Sequence, residues 1–72
     1  MHHTTRQLNR EMHAARVSGR YFYLHRHVPC SHTFETIRII RVRNRHGVHS
    51  ALALNSGRWL EFNDEDHFSA GV

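Results

Sequence analysis

The sequence predicts an α+β domain in which one N-terminal helix packs on a four-stranded antiparallel meander, with the element order αββββ. Three observations predict this class: an apolar stripe at helical spacing near the start, four later runs rich in β-branched and aromatic residues, and short turns between those runs. With only one helix, one face of the sheet can be covered while the other meets solvent, a second subunit or a target. A small SH3-like barrel with an added helix has the same periodicity and stays an alternative.

The helix is predicted over roughly residues 5–17. Thr4 and Gln7 have the spacing of a capping box, which marks a helix N-terminus, and Gly19 supplies the stop. Apolar side chains recur between them along one stripe, which we expect to face the sheet. That stripe consists of Leu8, Met12 and Ala15.

The first strand is predicted over residues 20–28, closed by a turn at residues 29–31. Its alternation places Phe22 and Leu24 on the inner face of the sheet. The outer face then carries Tyr21, Tyr23 and His25.

The second strand is predicted over residues 34–43, and its alternation slips in the middle. Ile37 and Ile39 share one face, whereas Ile40 and Val42 share the other. A β-bulge near Ile39 or Ile40 would let all four point inward. The same bulge would gather three arginines on the outer face, namely Arg38, Arg41 and Arg43.

The third strand is predicted over residues 48–54, after a hairpin connection at residues 44–47. Gly47 can adopt the positive φ that a bulged hairpin turn requires. Alternation separates Ser50 and Leu52 from His49, and we assign His49 to the outer face.

A short last strand is predicted over residues 58–62, after a turn at residues 55–57. Trp59 lies in this strand, where core or edge packing is expected and an interface anchor is the alternative. An exposed edge strand also leaves a homodimer possible through strand pairing. Residues 63–72 are predicted to be a flexible acidic tail of one domain spanning residues 1–72.

Charge is distributed unevenly along the 72 residues. All ten arginines lie within residues 1–60, where Glu11 and Glu35 are the opposing carboxylates, and the chain has no lysine. Residues 61–72 instead carry the carboxylates Glu61, Asp64, Glu65 and Asp66. A basic body with an acidic end predicts a polyanionic partner, an internal counterion, or both.

Cysteine content and hydropathy indicate a cytoplasmic protein without a membrane partner. The single cysteine, Cys30, allows no intramolecular disulfide. No apolar run approaches the ~18 residues of a membrane span, and no signal peptide is visible.

Histidines surround Cys30 and form the densest candidate metal cluster. The spacing is not that of a structural zinc site, so we expect a metal-free turn and no cofactor. The candidate ligands are His25, His27, Cys30 and His32. Cysteine catalysis would also need a water-excluding pocket, for which so short a chain has little room, so we expect no enzyme.

The outer face combines aromatic rings with guanidinium groups, which is the combination that single-stranded nucleic acid requires. A solvated face that limits aggregation and a surface that binds an acidic protein are the alternatives. The expected binding residues are Tyr21, Tyr23, Arg38, Arg41 and Arg43, with Arg26 and Arg45 at the margin.

The short helix, the tight hairpins and a last strand containing Gly57-Arg58-Trp59-Leu60 resemble small phage-encoded inhibitor proteins, anti-CRISPR proteins among them. The resemblance covers mainly residues 34–62 and assigns no functional residue. It implies a compact non-catalytic protein that blocks the nucleic-acid-binding surface of a bacterial defence complex. The sequence therefore predicts a non-enzymatic binding module for nucleic acid or a nucleoprotein complex, with a phage-type inhibitor of an acidic defence-protein surface as the alternative.

Overall fold

The computed structural model describes residues 4–71, which form one helix and five antiparallel strands. The helix precedes all the strands, and the strands stand in the order β4-β3-β2-β1-β5. The elements are α1 (Thr5–Val17), β1 (Tyr21–His27), β2 (Phe34–Arg45), β3 (Val48–Ala53), β4 (Trp59–Glu61) and β5 (His67–Gly71).

The helix begins and ends where the sequence predicts. The Thr4 hydroxyl accepts a hydrogen bond from the Gln7 backbone N–H at 3.1 Å, which satisfies a donor that lacks a partner inside the helix. Gly19, with a φ of 75°, takes the left-handed conformation that terminates it. The predicted stripe is buried against the sheet, with Leu8, Met12 and Ala15 each at most 4% exposed.

The prediction of four strands is wrong, because part of the expected acidic tail forms β5. This strand pairs with β1, so that Leu24 lies opposite Phe68. Phe68 packs against the core with its ring centroid 4.9 Å from that of Phe62. Its neighbours in β5 are mostly polar or small, so the alternating pattern that marks a strand is absent from the sequence there.

The sheet is strongly curled toward the helix. β4 and β5 lie at opposite edges, yet only residues 62–66 connect them. In a flat sheet, β1 and β4 would be about 14 Å apart, at ~4.8 Å per strand spacing. The Arg26 guanidinium of β1 nevertheless donates a hydrogen bond to the Glu61 carbonyl of β4. Over residues 4–71 the two edges do not pair, so the sheet approaches a barrel without closing.

The hydrophobic core fills the concave side of this sheet, between β1, β2, β3 and α1. Leu24 and Ala51 are completely buried, and Ile39 is 2% exposed. Phe62, from the connection between β4 and β5, closes one end of the core.

Within residues 4–71, no helical segment combines the length and the apolar character of a membrane span.

Candidate functional site

The β-bulge in β2 places four arginines on one side of the sheet. The register shifts between Ile39 and Arg41, which confirms the predicted bulge. Ile40 is the extra residue; it is half-buried and outside the core cluster, so the expectation that it points into the core is wrong. We call the side opposite α1 the open face. The strand register assigns to this face Arg38, Arg41, Arg43 and Arg45.

Arg38 lies over the ring of Tyr21. Its guanidinium carbon is 3.6 Å from the ring centroid, a distance at which the positive charge is attracted to the negative face of the ring. Tyr21 is 46% exposed. One side of its ring is therefore covered by Arg38, rather than being free for a ligand as the sequence suggested.

Arg43 makes the same kind of contact with Trp59. Its guanidinium carbon lies 3.9 Å from the ring centroid. The Arg43 Nε is buried and has no hydrogen-bond partner within residues 4–71, so this side chain is positioned by packing. Trp59 reaches the face because it pairs with Leu52, which in turn pairs with Arg41. Trp59 was not among the predicted site residues. The signal that could have found it is its place in β4, which is separated from β2 by one strand in the sheet.

Arg41 and Arg45 are exposed on the same face. No carboxylate in residues 4–71 lies within ion-pairing distance of Arg38, Arg41, Arg43 or Arg45. Glu61, at the β4 edge, is the acidic residue that the register places on this side of the sheet. Within residues 4–71, the open face thus carries a file of guanidinium groups that form no ion pair with a carboxylate.

Two further residues predicted for this face are held by neighbouring strands. Tyr23 is half-buried and its ring lies close to Gly71, where a Cβ would stand 3.5 Å from it. His25 bridges three strands, since its ring nitrogens lie 3.2 Å from the Thr36 hydroxyl and 2.6 Å from that of Ser69. Both side chains therefore fix the β2-β1-β5 half of the sheet.

The assignment of His49 to the open face is wrong. Val42 pairs with Ala51 and Asn44 with His49, so His49 shares the covered side with the buried alanines. Its Nδ1 lies 3.4 Å from the Thr5 hydroxyl, and its ring packs beside Phe62. The error arises because Leu52 is more apolar than alanine, yet the buried side of β3 carries Ala51 and Ala53.

Arg26 also lies on the covered side, away from the open face. Its Nε is 3.6 Å from the Asp66 carboxylate, and its Nη2 donates to the Glu61 carbonyl oxygen. Asp66 is 7% exposed and accepts a further hydrogen bond from the Asn63 N–H at 3.0 Å. Arg26 is thus the internal counterion of the acidic segment, one of the two roles that the charge distribution predicts.

The histidines around Cys30 do not converge. Within residues 4–71, no three His, Cys, Asp or Glu side chains are placed to hold a metal together. Cys30 is exposed in the turn between β1 and β2 with a φ of 60°. His27 stacks edge-on against Phe34, at 5.5 Å between ring centroids. His25, as described above, is bound to two hydroxyl groups.

A cleft of about 370 Å³ lies beside the start of β3, apart from the arginine file. It brings an imidazole near carboxylates, the groups that general acid–base chemistry uses. Its polar lining consists of His49, Glu61, Asn63 and Asp64. Cys30 is not among the residues lining this cleft.

The chain was compared with protein families, with curated proteins and with solved structures. No family model, no curated protein and no solved structure matches the chain.

Proposed function

We propose that this chain is a non-enzymatic binding module whose open face docks on nucleic acid or on a nucleoprotein complex. One observation carries the proposal: Arg38, Arg41, Arg43 and Arg45 lie on one face of β2, without carboxylate partners in residues 4–71. Concentrated positive charge attracts a polyanion and releases the counterions condensed on it.

The chemistry of the side chains favours phosphate as the partner group. A guanidinium presents a rigid fork of N–H donors that matches phosphate oxygens, and it is less strongly hydrated than an ammonium. Two of the four arginines are already oriented by Tyr21 and Trp59. Less side-chain entropy is lost on binding when the donors are held in place beforehand.

Salt dependence of binding tests the proposal. Up to four neutralised phosphates on a single strand give a slope of up to about −3 in a plot of log affinity against log salt concentration. Arg41→Ala combined with Arg43→Ala should weaken binding and reduce the slope by about half. Arg6→Ala combined with Arg10→Ala, on the exposed side of α1, is the matched control and should leave both the affinity and the slope of the salt plot unchanged. A salt-independent affinity, or one insensitive to the first pair, contradicts the proposal.

A second candidate function is inhibition of a bacterial defence protein through an acidic patch on its surface. Exposed apolar side chains favour it: Phe34 and Val48 lie on the open face and are 59% and 44% exposed, and Leu54, next to Arg38, is 43% exposed. Arginine and aromatic anchors among apolar side chains are typical of protein interfaces. Capture of one acidic protein from a nuclease-treated bacterial lysate, without any shift of an oligonucleotide, would select this function over nucleic-acid binding.

A further inference from the structure

We infer that the nucleic acid bound by the open face is single-stranded and that its bases stack on the guanidinium planes of Arg38 and Arg43. The inference rests on the proposed function, and it names both the class of nucleic acid and the groups that recognise the bases. It also changes the role of the aromatic residues, since Tyr21 and Trp59 support the arginines from beneath instead of receiving bases themselves.

The geometry of the two stacks leads to this assignment. At 3.6 and 3.9 Å from the ring centroids, each guanidinium is in van der Waals contact with an aromatic ring on one side. Both side chains are half-buried, so each keeps a part that a third partner can contact. Arginine planes are an established kind of surface for unstacked bases, because every base has a π-face.

The two arginines are also suited to a neutral stacking partner by the absence of ion pairs within residues 4–71. Neither Arg38 nor Arg43 forms an ion pair in residues 4–71, so a ligand breaks none when it binds. The Arg43 Nε is buried beside Trp59, which keeps the side chain in place although no group in residues 4–71 accepts a hydrogen bond from it. The stacking surfaces therefore exist before the ligand arrives.

The spacing along β2 gives an approximate length for the ligand. Arg38 and Arg43 are separated by about four strand rises once the bulged residue is discounted, or roughly 13 Å at ~3.3 Å per residue. At ~3.4 Å per stacked base, that distance corresponds to about four base steps, or about five nucleotides. Arg41 lies between the two stacks and Arg45 beyond them, where their exposed guanidinium groups can follow the phosphates.

A duplex cannot use these surfaces in the same way. Its bases are stacked on one another, so that it offers the open face only phosphate and sugar groups. A single strand offers phosphates to Arg41 and Arg45 and base faces to Arg38 and Arg43. The preference for a single strand follows from the bases, and removing the bases should abolish it.

The test uses the wild-type chain and three ligands of about twelve nucleotides: a DNA single strand, the same backbone with every base removed, and a duplex. Trp59 is the only tryptophan in the sequence, so its fluorescence reports on the site directly. We expect the base-bearing strand to bind roughly tenfold or more tightly than the abasic strand, given the known contribution of one stacked base. It should also bind more tightly than the duplex at physiological salt, and it should change the Trp59 emission.

A charge-preserving variant separates stacking from electrostatics. Arg38→Lys combined with Arg43→Lys keeps both charges and removes both planes, so affinity for the base-bearing strand should fall roughly tenfold while affinity for the abasic strand stays within about twofold. Arg6→Lys combined with Arg10→Lys, on α1, is the matched control and should change neither affinity.

The outcomes distinguish this inference from the proposed function. Equal affinity for the abasic and base-bearing strands, or tighter binding of the duplex, overturns base stacking while leaving polyanion binding intact. Failure to bind any of the three ligands overturns both base stacking and direct binding of nucleic acid. If that failure comes with capture of an acidic protein from a nuclease-treated lysate, the inhibitor function takes their place.

Discussion

The two faces of the sheet in this small protein are held together by different physics. The covered face buries Leu24 and Ile39 almost completely against α1, and apolar burial of this kind is the main source of folding free energy. The open face has half-buried arginines lying on aromatic rings, contacts that contribute far less to stability. Stability and recognition can therefore be changed separately.

The strand β2 contributes side chains to both faces because of its bulge. Ile39 and Val42 are three positions apart, an odd separation that would place them on opposite faces of a regular strand. Both are buried, at 2% and 8% exposure, because the extra residue shifts the alternation. The same shift keeps Arg38 and Arg41 on the open face. One irregularity in the backbone thus builds the core and the arginine file together.

The largest difference in stability loss between the faces is expected when one leucine on each face is replaced by alanine. Leu24→Ala should cost about 2–5 kcal/mol, since the site is completely buried and the helix above it cannot collapse fully into the cavity. Leu54→Ala, at a position 43% exposed, should cost less than about 1 kcal/mol. Urea unfolding monitored by circular dichroism measures both. Similar losses at the two positions would mean that the faces do not differ in this way.

A smaller difference in stability loss is expected when one arginine on each side is replaced by methionine. Arg26→Met should lower the free energy of unfolding by about 1–3 kcal/mol, because the buried Asp66 carboxylate loses its counterion and the Glu61 carbonyl loses a donor. Arg41→Met, exposed on the open face, should change it by less than about 0.5 kcal/mol. If Arg26→Met is as neutral as its counterpart, Arg26 does not tie the acidic segment to the sheet.

The smallest effect concerns the helix that covers the core. Thr4→Ala removes the hydroxyl that caps Gln7 N–H and should cost about 1 kcal/mol. Thr4→Ser keeps a capping hydroxyl and serves as the control, with a change of a few tenths of a kcal/mol. Neither variant should alter oligonucleotide affinity, because the cap lies on the covered side. A change in affinity would show that the two faces are coupled.

Local signals in the sequence predicted the parts of the fold that local physics decides. The cap at Thr4, the stop at Gly19 and the bulge between Ile39 and Arg41 each follow from side-chain chemistry or from alternation over a few residues. The file of arginines on β2 followed from the bulge. These features need no knowledge of distant parts of the chain.

The features that the sequence did not predict depend on contacts between distant segments. β5 forms because β1 offers it a free edge and Phe68 meets Phe62 in the core, not because residues 67–71 alternate. His49 lies on the covered side because the pairing of β3 with the bulged strand β2 sets its alternation. The stack of Arg43 on Trp59 requires the positions of three strands. In each case tertiary packing, rather than local propensity, decides the outcome.

The most direct measurement of the central claim follows the Nε–Hε signals of individual arginines by NMR while a single-stranded oligonucleotide is added. The signals of Arg38 and Arg43 should shift in proportion to occupancy, and those of Arg6 and Arg10 on α1 should stay in place. Shifts confined to the helix arginines, or none at Arg38 and Arg43 when the site is saturated, would contradict the account.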